Sequence, residues 1–549
     1  MSMARFRNIL PAALLAAVAL QVGSFIAVHS NVYDEAAYIG AGVSYLKTGG
    51  LRMDMSEHPP LMKYLIGLSS LAAAPLWRPD SQALKDNDSY RLGLELLYGD
   101  PKGPERLLSF ARLPSLFLSL GLALMVFSWA RRWYGELGGI FALAAYAFEP
   151  NLLAHSGLAT MDLALACFLF GAFHFLVLWD ETRRSGYLAC CGIFAGAAVS
   201  VKLPGIIFFG WLLLFLSFPW RRHPRKILLA AAVMGISLLV LLAAYAFDLR
   251  AFRDMSILRF FQVFLPHTRN AFYGFLHGHA RIGGFWDYYP TAFAIKMTLP
   301  FLILTAWAAL SDGDRRKKAL LLMPSLSFFA FCCAARYQNG FRYASPILPF
   351  LCVFIGSLAD KTSLRRRIAA AALIALGAVE SLRVCPHYLE YFNQLAGGPS
   401  NGYHWLVATD LDWGQDYPAL SRFIKKNGSP ETIAALVGNA DRDLYLGPHQ
   451  DLIEDPLQPD LYFRHINSPN PKKEWLLLSA TFLQGYGLGN PDAFAWLRTR
   501  KPVAQIAYQT FIYDVTDDPQ SHARFADFYA QRGLAAFAAR EKLRSRMRP

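Results

Sequence analysis

The stretch ILPAALLAAVALQVGSFIAVHSNVYDE, residues 9–35, decides the fold. Ile9 to Val28 is an apolar run of membrane length, since about 20 such residues cross a bilayer. Two carboxylates, Asp34 and Glu35, follow within two turns of its end. Acids at the mouth of a membrane span are costly and tend to mark chemistry. The run is longer than a signal-peptide core of about 7–15 residues. It therefore reads as an uncleaved first helix that tethers the pair to the membrane surface.

The rest of the chain repeats this pattern. Of 549 residues, 54% are hydrophobic and 17% charged, against about 25% charged in soluble domains. Eleven spans are expected: 9–28, 107–130, 137–153, 159–179, 186–201, 204–219, 226–247, 291–310, 319–335, 343–359 and 367–384. The net charge of +14 would suggest nucleic acid in a soluble protein. Here the basic residues gather in alternate short loops: Arg5/Arg7, Arg131/Arg132, Arg183/Arg184, Arg221/Arg222/Arg225/Lys226, Arg315/Arg316/Lys317/Lys318 and Lys361/Arg365/Arg366/Arg367. The positive-inside rule places those loops in the cytoplasm and leaves no call for a nucleic-acid partner. An odd span count puts the tail on the opposite side.

Three large segments then face outward: 30–106, 248–290 and the tail, 386–549. The expected organisation is a membrane domain over 1–385 and a soluble α/β domain over 386–549. Within the first loop, Leu61–Leu76 is too short to span and reads as a juxtamembrane helix. In the tail, His404–Ala408, Thr432–Val437 and Trp475–Ser479 read as short buried strands. Tyr417–Lys426 and Phe494–Arg500 read as helices, Val503–Val515 as a strand or hairpin, and His522–Arg548 as one amphipathic helix. Six of the seven cysteines lie in apolar runs and Cys385 ends one. That excludes a disulfide framework and zinc spacing.

The candidate chemistry lies on the outer side. Asp34 precedes Ala-Ala-Tyr-Ile, so it suits a helix N-terminus and equally a general base acting on a hydroxyl or amine. Glu57-His58-Pro59-Pro60-Leu61 breaks one helix and opens another, because Pro is tolerated in a first turn. Lys63 follows in that turn. Glu57 and His58 with an outer-loop histidine (His267, His277 or His279) could hold a divalent metal, but no ligand set is assigned. Glu149-Pro150-Asn151 leads to Asp162 at the outer end of the fourth span. Lys202 lies in a very short outer turn, and Arg336 and Arg342/Tyr343 flank another. These cations run against the inside bias. They suit an anionic headgroup, Arg as a fork and Lys as a point charge, or they simply snorkel. Acids and phosphate-binding cations on one face are what sugar transfer from a lipid phosphate needs: a base for the acceptor and positive charge for the leaving phosphate.

Asp34-Glu35, Glu57-His58-Pro59-Pro60-Leu61 and Ala111-Arg112-Leu113-Pro114-Ser115 resemble the GT-C glycosyltransferases. The nearest likeness is to the bacterial family 39 group, related to protein O-mannosyltransferases and the aminoarabinose transferase. Gly283-Gly284-Phe285-Trp286-Asp287-Tyr288-Tyr289-Pro290, with Lys296 and Leu299-Pro300, is similar to a later outer loop of that group. Tyr391-Phe392-Asn393-Gln394-Leu395-Ala396-Gly397-Gly398-Pro399 and Leu411-Asp412-Trp413-Gly414-Gln415-Asp416 look like motifs of one bacterial subgroup. The likeness spans about residues 5–420.

The resemblance implies a polytopic helical GT-C-like protein in a bacterial inner membrane, with its site and tail on the periplasmic or extracellular side. It implies an inverting enzyme that moves a sugar from a polyprenyl-phosphate donor to a protein, lipid or glycan. It implies Asp34 as the base with Glu35 beside it, Asp162 as a second acid, and Lys202, Arg342 and Tyr343 at the donor phosphate, near Glu57, His58 and Lys63. Asp412 and Trp413 would recognise a ligand from the tail, Trp413 by stacking on a sugar. Two departures stand out. His58-Pro59 replaces the Lys-Pro of aminoarabinose enzymes, and nothing in this sequence resembles the trefoil domain of the eukaryotic O-mannosyltransferases. A lipid-linked sugar flippase is the alternative. It would need ionisable groups at mid-membrane depth, for which His174 and Glu380 are the main candidates.

Overall fold

The computed structural model describes residues 3–51, 53, 58–217, 226–254, 273–335, 337–360, 363–454 and 462–546. Glu57, Arg221, Arg222, Arg225, His267, Arg336 and Lys361 lie outside the described residues. The chain divides into two compact units. One comprises residues 1–27, 34–272 and 282–395; the other comprises 28–33, 273–281 and 396–549.

The first unit is helical. Its main elements are α1 (Met3–Val28), α2 (Tyr33–Thr48), α3 (Leu61–Ala72), α4 (Ser89–Tyr98), α5 (Pro104–Ala147), α6 (Pro150–Ser156), α7 (Asp162–Thr182) and α8 (Ser185–Val201). They continue with α9 (Ile207–Ser217), α10 (Lys226–Ala244), α11 (Tyr288–Lys296), α12 (Leu299–Leu310), α13 (Arg315–Ala334), α14 (Leu348–Gly356) and α15 (Leu364–Val384). Among the described residues, six helices are long and apolar enough to cross a membrane, or seven if the α11–α12 pair counts as one span. The described parts of the eleven expected segments fall mainly on helices, with four differences of form.

Residues 107–130 and 137–153 are not separate helices. They share α5, which has 44 residues, breaks at Gly135 (φ 75°, ψ −176°) and ends at Ala147, so that 150–153 already open α6. Residues 291–310 are not straight either, because α11 and α12 meet at 110°. Met297 and Thr298 are extended there, and Thr298 caps α12 by accepting the Phe301 N–H at 3.2 Å. Pro300 sits in the first turn of α12, where its missing N–H costs nothing. Thirdly, 204–219 starts as a 3-10 turn, Leu203–Ile206, before α9. Fourthly, 343–359 runs as a 3-10 segment (Phe341–Ile347), α14 and a 3-10 turn (Ser357–Ala359).

Burial separates central from peripheral helices. The apolar window of α10 is 17% buried, whereas that of Phe341–Ala359 is 89% buried. α10 therefore turns leucines outward, as a lipid-facing helix should. The bundle interior is aromatic: Trp129 lies 5.2 Å from Phe170 and 4.8 Å from His174, and Phe170 lies 4.9 Å from Phe350. His174 is thus a ring in this cluster, and Glu380 accepts the Tyr391 hydroxyl at 2.7 Å.

The juxtamembrane helices pack almost backbone to backbone on α2. A Cβ at Gly42 would lie 2.1 Å from the Lys63 carbonyl oxygen, and one at Gly93 would lie 1.8 Å from that of Ala36. Only glycine permits such an approach, and it seats α3 and α4 against the helix that begins with the acid pair.

The second unit is α/β. A hairpin of β1 (Tyr273–Leu276) and β2 (His279–Ile282) precedes α16 (Tyr417–Lys426) and β3 (Glu431–Ala435). β4 (Gln450–Asp451), β5 (Glu474–Ser479), β6 (Ala504–Ile506) and β7 (Thr510–Asp514) follow, then α17 (Pro519–Gln531) and α18 (Ala535–Arg544). The five-stranded sheet has the order β4-β3-β5-β7-β6. β3 pairs in parallel with β4 and β5, while β7 runs antiparallel to both β5 and β6.

The expected strands at 432–437 and 475–479, the helix at 417–426 and the 503–515 hairpin are present. The expected strand at 404–408 is not: Pro399–His404 is a 3-10 turn and Ala408 has φ 54°. The Gly-Gly-Pro and Asn-Gly steps before it favour turns over extended pairing. Phe494–Arg500 shortens to a 3-10 turn at Ala495–Leu497. The final helix is two, separated at Gly533 (φ 71°).

Candidate active site

Asp34 and Glu35 both lie in the first turn of α2, where acids favour the helix dipole. Their side chains go to different places. Glu35 is fully buried and held on three sides: Arg112 Nε at 2.8 Å, Arg112 Nη2 at 2.7 Å and the Ala159 N–H at 2.7 Å. This bidentate fork is the strongest geometry for a carboxylate and a guanidinium. Asp34 is 21% exposed and faces Arg342, whose Nη1 lies 3.3 Å from Asp34 Oδ2.

Arg342 sits in the 3-10 segment Phe341–Ile347, just after Gly340 at φ 92°. Its Nε donates to the Asn339 carbonyl at 3.0 Å, which aims the guanidinium. The same Nη1 lies 3.5 Å from Asp162 Oδ2. Asp162 opens α7, and its Oδ1 accepts Lys202 Nζ at 2.6 Å. Lys202 is the extended residue that ends α8, and its ammonium lies 3.8 Å from the centre of the Tyr343 ring. The result is an alternating row, Lys202–Asp162–Arg342–Asp34, with no net formal charge. Burial pushes the Asp34 carboxyl above its ordinary 3.8, against the opposing pull of Arg342.

His58 borders this row. Burial first, then the charges of Lys202 and Lys63, hold its imidazole well below the ordinary 6.5, so it is neutral. Its ring lies 6.0 Å from that of Tyr38. Lys63 is buried and donates to the His58 carbonyl at 2.8 Å. On the other flank, Lys202 and Tyr343 line a mainly apolar cavity with Leu165, Phe328, Phe331 and Tyr337. The opening is apolar apart from those two polar ends.

Of the residues expected from sequence, Asp34, Asp162, Lys202, Arg342 and Tyr343 come together, with His58 and Lys63 beside them. Glu35 is adjacent in the chain but belongs to the Arg112 pair. Asp412 and Trp413 lie in the second unit and are both buried. Asp412 Oδ2 accepts the Thr481 N–H at 3.3 Å, and burial pushes this carboxyl up to about 7. Arg112 and Tyr38 had no assigned role from sequence. A guanidinium inside an apolar helix is itself a signal, and Arg112 carried it.

Residues 108–246 match the family described as dolichyl-phosphate-mannose-protein mannosyltransferase. Among curated proteins, none matches the chain in sequence. Among solved structures, ArnT from Cupriavidus metallidurans bound to undecaprenyl phosphate is 16% identical. The match covers 92% of this chain and 97% of that one, with a TM-score of 0.50. The protein O-mannosyltransferase complex of S. cerevisiae is 18% identical over 46% of this chain and 35% of its own, at TM-score 0.35. The oligosaccharyltransferase of Archaeoglobus fulgidus is 13% identical over 83% and 65%, at TM-score 0.46. The chain thus has the polytopic GT-C fold that its first-loop motifs resemble, with a smaller sheet-bearing C-terminal region.

Proposed function

We propose that this GT-C-fold membrane protein is an inverting glycosyltransferase that uses a polyprenyl-phosphate-linked sugar as donor. The observation that carries the reading is the row Lys202–Asp162–Arg342–Asp34 beside an apolar cavity. It joins a base, two cations suited to a phosphate and an apolar opening suited to lipid at one place.

Asp34 takes the proton of the acceptor hydroxyl or amine as that atom attacks the anomeric carbon. The bond from that carbon to the phosphate oxygen breaks, and both its electrons leave with the polyprenyl phosphate. Attack opposite the leaving group inverts the centre. The phosphate gains negative charge in this step, and Lys202 and Arg342 stabilise it as fixed, largely desolvated cations. Asp162 holds both cations in place when no donor is bound. Tyr343 packs under Lys202, while neutral His58 offers a hydrogen bond without adding charge. Glu35 acts through Arg112 and Ala159: it fixes the first turn of α2, and so the direction of Asp34. It is a positioning residue.

The basic loops orient the site to the non-cytoplasmic face, which is the periplasmic side of a bacterial inner membrane. The acceptor class, protein, lipid or glycan, is read by mass spectrometry of envelope material with and without the protein. A flippase would need ionisable groups along a crossing path. His174 instead sits in an aromatic cluster, and Glu380 is paired with a tyrosine.

The test is Asp34→Asn in purified protein with a polyprenyl-phosphate sugar. Transfer should fall by about 10²–10⁴-fold, the usual worth of a general base, with insertion and yield unchanged. Wild-type transfer by that variant would overturn the reading.

A further inference from the structure

The motif Leu411–Asp416 plays no part in the chemistry above, yet it carries two carboxylates into the interior of the second unit. Asp412 is 2% exposed and Asp416 is 5% exposed. Both line a small chamber with Ser479, Gln509 and Thr510. It has room for one water or one ion. No lysine or arginine is among its lining residues.

Gln509 is the telling side chain. It is 1% exposed, and its amide nitrogen donates to Asp416 Oδ2. Its Oε1 has no hydrogen-bond partner. A buried acceptor left unpaired beside buried carboxylates is expensive, and no lysine or arginine lines the chamber to offset the acids. Asp412 uses Oδ2 to accept the Thr481 N–H. His29 Nε2 lies 3.3 Å from Asp416 Oδ1. The oxygen-bearing side chains that line the chamber are of three kinds: carboxylate, amide and hydroxyl. Hard divalent cations select that set, Ca²⁺ with six to eight such ligands and Mg²⁺ with fewer and at shorter range. No sulfur is among its lining residues, and the His29 imidazole meets Asp416 from outside that lining.

We propose that this chamber is a Ca²⁺-class cation site, with Asp412, Asp416 and the Gln509 carbonyl as ligands and the Ser479 and Thr510 hydroxyls completing the shell. The ion neutralises two buried acids and ties the 411–416 turn to the start of β7 and the end of β5. It is a structural site and is independent of the transfer reaction.

The experiment uses the full chain in detergent, stripped with chelator and then titrated with CaCl₂ or MgCl₂. Metal bound per chain is measured by elemental analysis, and unfolding by tryptophan fluorescence. The expected result is one ion per chain and a saturable rise of several degrees in the unfolding midpoint, as for any ligand of the native state. Asp412→Asn and Gln509→Leu should each weaken binding by about tenfold or more, since each removes an oxygen ligand. Gln509→Leu decides the matter if Asp412→Asn does not fold. Absence of bound metal and of any shift in the wild type would mean that water fills the chamber and would overturn the proposal. Unchanged affinity in Gln509→Leu would overturn it too, by placing the ion elsewhere.

Discussion

Asp34 and Glu35 leave α2 about 100° apart, the step between neighbours on a helix. That angle gives them different environments and different consequences on mutation. Glu35 and Arg112 are a fully buried pair. Removing one partner leaves a buried charge, so Glu35→Gln should destabilise the protein by about 3–5 kcal/mol. Lower yield and a lower unfolding midpoint would check this, whereas Asp34→Asn should leave both unchanged. pH dependence separates the two roles further. The Asp34 carboxyl is held above 3.8, and a base works only when ionised. The acid limb of kcat/KM should therefore lie above 3.8 in a pH–rate profile. His58 acts on stability in the opposite sense. Its folded-state value lies below 6.5, so as pH falls below 6.5 the unfolded chain takes up a proton that the folded chain refuses. Stability is thus intact above 6.5 and declines below it, and His58→Gln should flatten that decline in a thermal-melt series. At this scale the residue types were legible in the sequence. Cations on the wrong side of the charge bias pointed to Lys202 and Arg342. The division of labour between the two acids was not legible, because it depends on partners 77 and 308 residues away.

Helix packing carries the acid pair to its place. The faces of α2, α3 and α4 meet at Gly42, Gly67 and Gly93 with no room for a Cβ, which would fall within 2.3 Å of a facing backbone atom at each. Gly42→Ala should force α3 away from α2 and cost about 1–3 kcal/mol, the usual price of overpacking. It should also lower transfer more than it lowers yield, since α2 positions Asp34 and α3 positions Lys63 and His58. Activity per folded protein is the measurement. Sequence periodicity identified most elements here because each long apolar run has only one way to satisfy its backbone in lipid. It did less well where local turn chemistry competed. The run at 404–408 is apolar enough for a strand, but the preceding glycines and proline bend it. The last amphipathic stretch keeps its pattern across Gly533, although the backbone does not.

On the scale of the whole chain, charge and hydropathy dictate a helical membrane unit and a separate α/β unit. The C-terminal helix closes the second of these through a buried network. Arg540 donates to Glu474 Oε1 at 2.6 Å and to Glu541 Oε1 at 2.6 Å, and His522 Nδ1 lies 2.5 Å from Glu541. Truncation after Gly533 removes Arg540 and Glu541 and leaves Glu474 buried without its cation. The shortened protein should lose protease resistance across 396–533, as judged by limited proteolysis of the membrane-inserted chain. The amino-acid sequence alone determined that the chain enters a membrane, and it segregates the basic residues into alternate loops. It also set acids and cations at the ends of apolar segments, on the face that the charge bias leaves for the proposed site. Those are properties of composition and order, and the bilayer reads them one segment at a time. Only the tertiary structure decided which acid meets water and which is locked by Arg112, and that Asp162 is shared between Lys202 and Arg342. Those facts depend on angstrom-scale approach between residues far apart in the chain, which no local pattern encodes.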